Sequence, residues 1–483
     1  MSFTESETAL GKKLFEACSF TERPICKESH LATVRDVMRN NIPATITTSD
    51  LGLFTDEEEA TKKKEIIQGD ITIDGTTPLH VICLSFPSDA SSDELQVALE
   101  MMRELFQWGA GWMLLDEQGQ TPGCVAWERS KGGARDSVLA SVYNEIVSAG
   151  TRSEVFLRRI NKSENVEFLS DDEDEEMEVD EEEEEEETGD IQQAIADAIK
   201  QAKEAGLEVV VDGESVDEVP ELVGHKEGGE EDIKSGKEEN EEKEETQKET
   251  KEVDLAGSQM DYLKDKLTYT EDNKTLITTQ NDGVMMDWED EIMQKSADLL
   301  VSRTDKDSEG PVVLNVGFGL GIIDRYLQEK KPSKHYICEA HPDVLEKMEK
   351  DGWMEKPGVT VLVGRWQDTL PELLSQGVYF DGMYYDTFSE NYSDLVDFFD
   401  HVVGLLAPTG VFSFFNGLGA DRQVCYDVYK NVVEVDLQEY GLNVEYQVIK
   451  VNKDVTGADG HVWDGIKRRY WVVEDFYLPV CTF

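Results

Sequence analysis

The segment VVLNVGFGLGII, residues 312–323, decides the fold of this chain. Its first half is an apolar run rich in β-branched residues, a composition that predicts a buried parallel strand. Gly317, Gly319 and Gly321 follow directly. Apolar residues at helical spacing come next, namely Ile322, Ile323, Tyr326 and Leu327. A strand, a glycine turn and a helix in this order direct backbone N–H groups toward a bound ligand.

The spacing of the glycines indicates which ligand the turn binds. The pattern is G-x-G-x-G, whereas a dinucleotide turn reads G-x-G-x-x-G and would place glycine at Ile322. Glu339 follows a second apolar segment, His335–Cys338, and a carboxylate at that point can accept hydrogen bonds from two ribose hydroxyls. A ligand with adenosine but no pyrophosphate fits both features, so the sequence predicts S-adenosylmethionine. The alternative is a tight turn in another kind of α/β protein.

Acidic residues dominate the composition. The formal net charge is −58, and residues 171–255 contribute half of it with 37 acidic and 8 basic residues. Such a charge argues against direct binding to nucleic acid phosphates and permits a basic protein partner. No apolar run approaches the roughly 20 residues of a membrane span, and the N-terminus lacks the apolar core of a signal peptide. We therefore expect a soluble protein of the cytoplasm and nucleus, without a membrane partner.

The seven cysteines are scattered along the chain and form no C-x-x-C pair. This pattern argues against zinc ribbons and redox motifs, and it suits a reducing compartment. We expect no metal cofactor and a monomeric protein.

Residues 1–165 are predicted to form a helical domain with repeats. The sequence T-P-L-H at Thr77–His80 is typical of the start of an ankyrin unit, and a weaker copy begins at Thr121. The two starts lie 44 residues apart, longer than the roughly 33 of a plain ankyrin unit, and the polar insertion Ser85–Asp93 accounts for the difference. We expect a short ankyrin-like array that binds protein on its concave face, with a hydrogen-bonding role for His80. A helical cap without a partner is the alternative.

Residues 166–255 are predicted to be a largely disordered acidic linker. Asp171–Glu187 is almost unbroken acid, and Gly224–Glu252 is low-complexity sequence of Glu, Lys and Gly. Like charges repel one another, and segments of this composition cannot form a buried apolar core. Between these blocks, Ile191–Gly206 can form a helix and Leu207–Val211 a strand.

Residues 256–483 alternate between strand and helix patterns. The strands predicted after the glycine turn are Val359–Val363, Tyr379–Asp386 and Val411–Phe415, with a terminal antiparallel pair at Tyr446–Val451 and Tyr470–Glu474. The helices predicted between them are Asp343–Lys350, Thr369–Ser375 and Leu395–Leu406. This order predicts an α/β protein with the seven-stranded, doubly wound class I S-adenosylmethionine-dependent methyltransferase fold, in which one strand is reversed.

Five motifs in order carry a family resemblance. They are Met285–Met293, GFGLGI at 317–322, EAH at 339–341, WQD at 366–368 and YYDTFSE at 384–390. Together they resemble the guanidinoacetate methyltransferases. With the ankyrin-like front and the acidic middle, the chain resembles the fungal protein arginine N5-methyltransferases (type IV). The resemblance implies S-adenosylmethionine as the donor, and as the acceptor the internal (δ, N5) guanidino nitrogen of an arginine in a large-subunit ribosomal protein.

One motif departs from the guanidinoacetate methyltransferase pattern. That pattern is close to W-E-T-P-Y-M, whereas this chain has W-E-D-E-I-M at 288–293. Glu289 and Met293 are kept and the residues between them differ, which leaves the shape of the acceptor pocket open.

The resemblance also implies which residues contact the donor. They are Tyr262, Met293, Gly317, Phe318, Gly319, Leu320, Gly321, Ile322, Glu339, Ala340, His341, Trp366, Gln367 and Asp386. We expect Trp366 to contact adenine with its ring face, Met293 to pack on the donor, and Tyr262 to close the front. Tyr269 is the alternative to Tyr262.

The acceptor side is predicted to be anionic. A guanidinium is always charged and presents five N–H donors in one plane, which paired carboxylates hold in a bidentate way. Asp386 ends a predicted strand, where open α/β sheets bind ligands, and Glu289 is its predicted partner. We expect Asp386 to act as the base, with Glu390 as a possible third carboxylate. A small-molecule guanidino methyltransferase and a non-catalytic acidic ankyrin scaffold for basic proteins are the alternatives.

Overall fold

The computed structural model describes residues 3–52, 75–131, 137–164, 210–211, 214–215, 259–304, 309–457 and 461–483. The chain forms two compact units, one of residues 1–162 with 250–483 and one of residues 163–249. Among the described residues, no helix has the length and apolar character needed to cross a membrane.

The N-terminal part is helical. Its elements are α1 (Glu5–Cys18), a π-helical turn (Lys27–Leu31) that leads into α2 (Ala32–Arg39), α3 (Pro78–Ser85), α4 (Ser92–Gln107), α5 (Pro122–Ser130) and α6 (Val138–Glu164). The two Thr-Pro sequences begin α3 and α5, and each threonine caps its helix through the side-chain oxygen. Proline suits the first helical turn because its missing N–H needs no partner there.

His80 links the two Thr-Pro turns. Its ring is buried, with Nδ1 lying 2.7 Å from Thr77 Oγ1 and Nε2 lying 3.0 Å from the carbonyl oxygen of Gln120. The histidine therefore connects the start of α3 to the residue before Thr121, and it has the hydrogen-bonding role that the sequence predicts.

In the second unit the described residues are two short antiparallel strands, β1 (Val210–Val211) and β2 (Glu214–Ser215). The predicted helix Ile191–Gly206 and the rest of the predicted disordered linker lie outside the described residues.

A short helix and a small sheet follow. They are α7 (Gln259–Tyr262), then β3 (Thr268–Tyr269), β4 (Thr275–Ile277) and β5 (Gly283–Met286) in an antiparallel meander. A 3-10 turn, Asp287–Glu289, leads from β5 into α8 (Asp290–Leu300).

A seven-stranded sheet forms the centre of the C-terminal part. Its strands are β6 (Val312–Val316), β7 (Lys334–Glu339), β8 (Val359–Val363), β9 (Phe380–Tyr385), β10 (Leu406–Phe414), β11 (Asn443–Lys450) and β12 (Asp475–Thr482), in the order β8-β7-β6-β9-β10-β12-β11. Only β12 runs antiparallel to its neighbours in this sheet. The strand order reverses between β6 and β9, so their carboxyl ends open a crevice. The predicted class I methyltransferase fold is confirmed.

Helices cover both faces of the sheet. They are α8 together with α9 (Ile322–Glu329), α10 (Pro342–Lys350), α11 (Trp366–Ser375), α12 (Tyr392–Leu405) and α13 (Gln423–Glu439), and a short helix, α14 (Lys453–Thr456), follows β11. Successive residues of β6 face opposite cores: Leu314 and Val316 pack with the aromatic residues of α12, and Val313 packs with α8. This alternation follows from the period of a strand that is buried on both faces.

Two predicted boundaries are wrong. The last strand is β12, not Tyr470–Glu474, because residues 470–473 form a loop whose side chains pack in the apolar cluster of α8. Helix α11 begins at Trp366 rather than Thr369, so the WQD motif forms its first turn. Glu390 lies in the loop before α12.

Candidate active site

A cavity of about 290 Å³ opens at the carboxyl ends of β6, β7 and β9. This is the crevice that the strand order creates, and its volume is close to the lower end of the range for ligand pockets. The predicted site residues that line it are Tyr262, Glu289, Gly317, Gly319, Glu339, Ala340, Trp366 and Asp386. Residues predicted for the donor and for the acceptor therefore share one cavity.

The backbones of the glycine turn and of Asp386 are in close contact. Gly317 has a φ of +91°, and a Cβ atom there would lie 1.9 Å from the backbone oxygen of Asp386. The N–H of Asp386 donates to the carbonyl of Val316 at 2.9 Å. Only a residue without a side chain allows β9 to end so close to β6.

Glu339 ends β7 with a buried carboxylate that backbone groups orient. It accepts hydrogen bonds from the N–H groups of Phe318 at 2.9 Å, Ala340 at 2.8 Å and His341 at 2.7 Å. Burial raises the pKa of Glu339, and these N–H donors act in the opposite direction. A fixed carboxylate in the wall of the cavity fits the ribose hydroxyls of an adenosine-containing ligand.

Tyr262, and not Tyr269, lines the cavity. The carbonyl of Tyr262 lies 3.1 Å from His341 Nε2, and its ring packs on His341 at 4.9 Å and on Phe388 at 5.0 Å. His341 therefore supports Tyr262 from outside the cavity and does not line it. The Tyr269 hydroxyl instead donates to the carbonyl of Gly319 at 3.1 Å.

Glu390 binds protein donors at the Trp366 end of the cavity. It accepts from Trp366 Nε1 at 2.9 Å, from Thr387 Oγ1 at 2.6 Å, and from the Tyr385 hydroxyl and the Gln259 amide. These donors come from α11, α7, β9 and the loop after it. The carboxylate is thus engaged by the protein itself, which corrects its predicted role as a third carboxylate for the acceptor.

Several predicted donor contacts do not reach the cavity. Met293 is fully buried with Leu300 and Val313, so its predicted contact with the donor is corrected to core packing. Phe318 packs edge-on against Trp353 at 5.3 Å. The remaining residues that do not line the cavity are Leu320, Gly321 and Ile322 of the glycine turn, and Gln367 of α11.

The cavity also contains residues that the sequence did not single out, including Met285, Phe415, Gly417 and Tyr470. The sulfur of Met285 accepts the N–H of Leu320 at 3.2 Å, so this methionine lies beside the glycine turn in the cavity, whereas Met293 was the methionine predicted to pack on the donor. Met285 begins one of the quoted motifs, which could have pointed to it. Tyr470 begins the segment predicted as the last strand, and that pattern gave no signal for a role in the site.

Glu289 and Asp386 form a pair of enclosed carboxylates. Glu289 ends the 3-10 turn before α8 with 3% of its surface exposed. Asp386 follows β9, and its Oδ2 atom has no hydrogen-bond partner among the described residues. Burial raises the pKa of Asp386 to about 7. Burial, followed by the charge of Asp386, raises the pKa of Glu289. Two such groups compete for a proton, and a cation between them relieves both.

The charge of the cavity wall favours cations. Among the described lining residues, four are carboxylates, namely Glu289, Glu339, Asp386 and Glu390, and the one basic residue is Arg365. Arg365 directly precedes Trp366 at the start of α11, whereas Glu289 directly precedes α8. A sulfonium and a guanidinium are both cations, so both fit this wall.

The sheet order, the glycine turn and the acidic end of β7 define a methyltransferase of the class I fold. A family model described as guanidinoacetate N-methyltransferase matches residues 258–449. Among solved structures, the O-methyltransferase TomG from Streptomyces achromogenes in complex with SAM has a TM-score of 0.28 and 18% identity, covering 40% of this chain and 80% of that chain.

Relatives along the whole length narrow the class. Protein arginine N-methyltransferase 2 of Yarrowia lipolytica is 88% identical and covers 100% of both chains. The protein of the same name from Saccharomyces cerevisiae is 39% identical and covers 98% of this chain and 99% of its own. The chain belongs to the protein arginine N-methyltransferase 2 family.

Proposed function

We propose that this protein transfers a methyl group from S-adenosylmethionine to the internal (δ, N5) guanidino nitrogen of an arginine in a large-subunit ribosomal protein. The single observation that carries the proposal is the enclosed pair Glu289 and Asp386, in the same cavity as the glycine turn. The names of the full-length relatives support arginine as the acceptor, and the resemblance of the whole chain to the fungal N5-methyltransferases implies the internal nitrogen and the ribosomal substrate.

The donor end of the cavity suits S-adenosylmethionine, which supplies an electrophilic methyl group on a sulfonium. Glu339 would accept from the ribose hydroxyls, and Trp366 and Tyr262 would enclose the adenosine. Gly317 and Gly319 leave room beside the turn because neither carries a side chain.

The acceptor end suits a guanidinium. Glu289 and Asp386 would draw positive charge onto the terminal nitrogens, so the lone pair of the internal nitrogen becomes available as the new N–C bond forms. The S–C bond breaks with its electron pair remaining on sulfur, and the proton of the internal nitrogen passes to Asp386. A pKa of about 7 for Asp386 suits a base at neutral pH.

The charge of the cavity also bears on the small-molecule alternative. A free guanidino acid carries a carboxylate that needs a cationic partner, and the described lining residues offer one cationic side chain, Arg365, against four carboxylates. An arginine within a protein has no such carboxylate. This favours a protein acceptor over a free guanidino acid.

The helical N-terminal part supports a protein substrate in a second way. Thr-Pro turns begin α3 and α5, and His80 joins the two turns, which supports the expected ankyrin-like array that binds protein. We propose that this part binds the substrate, and that the protein works as a monomer in the cytoplasm and nucleus. No metal is expected to take part, and the described residues include no cluster of metal-ligating side chains.

The test is methyl transfer from labelled donor to large-subunit ribosomal proteins, comparing wild type with Asp386→Asn and Glu289→Gln. We expect each variant to lose at least about a hundredfold in rate, because proton transfer or acceptor binding is lost. Asp351→Asn is the matched control, since Asp351 is an exposed carboxylate that pairs with Lys347 outside the cavity.

Two further measurements separate the alternatives. Amino-acid analysis of the labelled protein distinguishes methylation of the internal nitrogen from methylation of a terminal one. Calorimetry with the donor tests the scaffold alternative, because a chain that does not bind the donor is not the enzyme proposed. Label found only at terminal nitrogens would contradict the N5 assignment while leaving arginine methylation in place.

A further inference from the structure

Glu289 ends a chain of hydrogen bonds that begins at an indole. Trp288 Nε1 lies 3.2 Å from the hydroxyl oxygen of Tyr470, and that hydroxyl lies 2.5 Å from Glu289 Oε1. Tyr470 lines the cavity, although it is 181 residues from Glu289 in the chain.

The direction of this chain follows from the chemistry of its groups. An indole N–H can only donate, so the Tyr470 oxygen is the acceptor from Trp288. The single hydroxyl hydrogen of Tyr470 is then directed at Glu289, and Oε1 of Glu289 must accept it. The backbone N–H of Met286 donates to the same Oε1 atom at 3.4 Å. Oε1 is therefore occupied by protein donors, which leaves Oε2 for a ligand or a proton.

Tyr470 is held rigidly enough to impose this choice. Its ring packs edge-on against Trp463 at 4.8 Å and lies 5.9 Å from the ring of Trp288. Burial and the charge of Glu289 raise the pKa of Tyr470 well above its ordinary value, so the hydroxyl remains a donor at every working pH.

We propose that Tyr470, anchored by Trp288, is a positioning residue that turns Oε2 of Glu289 toward the acceptor guanidinium and leaves Asp386 as the proton acceptor. This rests on the proposed function, since it assigns a role within the same site. Tyr470 acts through Glu289 and takes no proton itself. The division of labour agrees with the absence of a described partner for Asp386 Oδ2.

Other titratable groups face the pair, and they fix the expected sign of a pH effect. The charge of Asp386 and that of Asp287 both raise the pKa of Glu289, whereas the hydrogen bonds from Tyr470 and Met286 lower it. Tyr384 is fully buried nearby, and its own pKa is raised by burial and by the charge of Asp386. Removing the Tyr470 hydroxyl therefore shifts the pKa of Glu289 further upward.

The test is Tyr470→Phe in the full-length protein, which keeps the ring and removes the hydroxyl. We expect KM for the protein substrate to rise about tenfold to a hundredfold, the usual effect of losing a hydrogen bond to a charged group. We expect kcat to change less, and the acid limb of the kcat/KM profile to move to higher pH. Trp288→Phe should raise KM and move the acid limb in the same directions but to a smaller extent. The Tyr470 hydroxyl keeps its hydrogen in this variant and loses only the hydrogen bond from the indole.

Tyr392→Phe is the matched control. The Tyr392 hydroxyl of α12 donates to Asp436 of α13 at 2.6 Å, and neither residue lines the cavity. This variant loses the same kind of bond and should keep the kinetics and pH profile of the wild type.

Two results would overturn the assignment. One is an unchanged KM and pH profile in a folded Tyr470→Phe protein, and the other is an unchanged profile in Trp288→Phe if the first variant does not fold. Wild-type activity in Glu289→Gln would instead overturn the proposed function, so the two failures are distinguishable.

Discussion

At the scale of single residues, Asp386 is the most informative group in the molecule. Its Oδ2 atom is buried and has no described hydrogen-bond partner, and such an oxygen is costly unless a proton or a cation reaches it. The site therefore stores an unfavourable interaction that a bound guanidinium would relieve. Stability and ligand binding are linked at this residue.

This linkage predicts a pH dependence of stability. The pKa of Asp386 is about 7 in the folded protein, above its ordinary value of 3.8. Its contribution to stability is therefore fully present below the unfolded-state pKa and is lost as pH rises through 7. At pH 8, Asp386→Asn should unfold at a higher urea concentration than the wild type, with a free energy of unfolding larger by on the order of a few kcal/mol. This gain in the free energy of unfolding should shrink toward pH 5.

Urea denaturation of both proteins across this pH range, without ligands, measures the effect. Asp351→Asn should show no such trend, because Asp351 is a surface carboxylate. A gap between wild type and Asp386→Asn that stays constant from pH 5 to pH 8 would show that Asp386 is ionised throughout.

At the scale of elements, the turn after β6 decides where β9 ends. Gly317→Ala would place a Cβ atom 1.9 Å from the Asp386 carbonyl oxygen, so one of the two backbones must move. We expect loss of stability well beyond the roughly 1 kcal/mol that alanine costs in a left-handed conformation. Methyl transfer should fall with it, because Asp386 moves with its backbone.

Gly352→Ala separates the cost of the left-handed conformation from the cost of the contact with Asp386. Gly352 has a similar positive φ of +77°, and nothing lies within 4 Å of a Cβ atom built there. Thermal unfolding and activity of the two variants should therefore differ. Equal effects in both would mean that the left-handed conformation, and not the contact with Asp386, makes glycine necessary at 317.

At the scale of the whole molecule, the helical part and the methyltransferase sheet share a core. Val424, Val428 and Val432 of α13 belong to the same apolar cluster as Ile146 of α6 and Leu79 of α3. The segment before α13 includes Phe415 and Gly417, which line the cavity. The N-terminal helices therefore pack against α13, the helix that follows the cavity-lining residues Phe415 and Gly417.

Gly150→Ala tests this shared core. Alanine stabilises a helix by about 1 kcal/mol relative to glycine. At position 150, however, the added Cβ atom would lie 2.8 Å from Val428 and 3.0 Å from Trp112. We expect the crowding to prevail and the melting temperature to fall in a single transition, as measured by calorimetry.

The exposed position Asn144 on the same helix provides the control. Asn144→Ala should leave the melting temperature unchanged or raise it slightly, through helix propensity alone. Two separate transitions in Gly150→Ala would indicate that the helical part and the sheet unfold independently.

The sequence by itself determined the features that depend on neighbours in the chain. The β6 run, its glycines and Glu339 are close in sequence, so their pattern predicted the glycine turn. The alternation of strands and helices after it predicted a doubly wound sheet. Motifs with fixed internal spacing likewise predicted Glu289, Asp386 and Trp366, all of which line the cavity.

Only the tertiary structure decided which side chains meet across long separations. Met293 and Met285 belong to one motif, and packing of α8 buried the first while the end of β5 carried the second to the turn. Tyr470 reaches Glu289 from a loop whose sequence pattern had predicted a strand, and Glu390 binds donors from three elements and a loop. Local sequence patterns report the period of a helix or strand, whereas these contacts depend on how the elements pack, which no local pattern encodes.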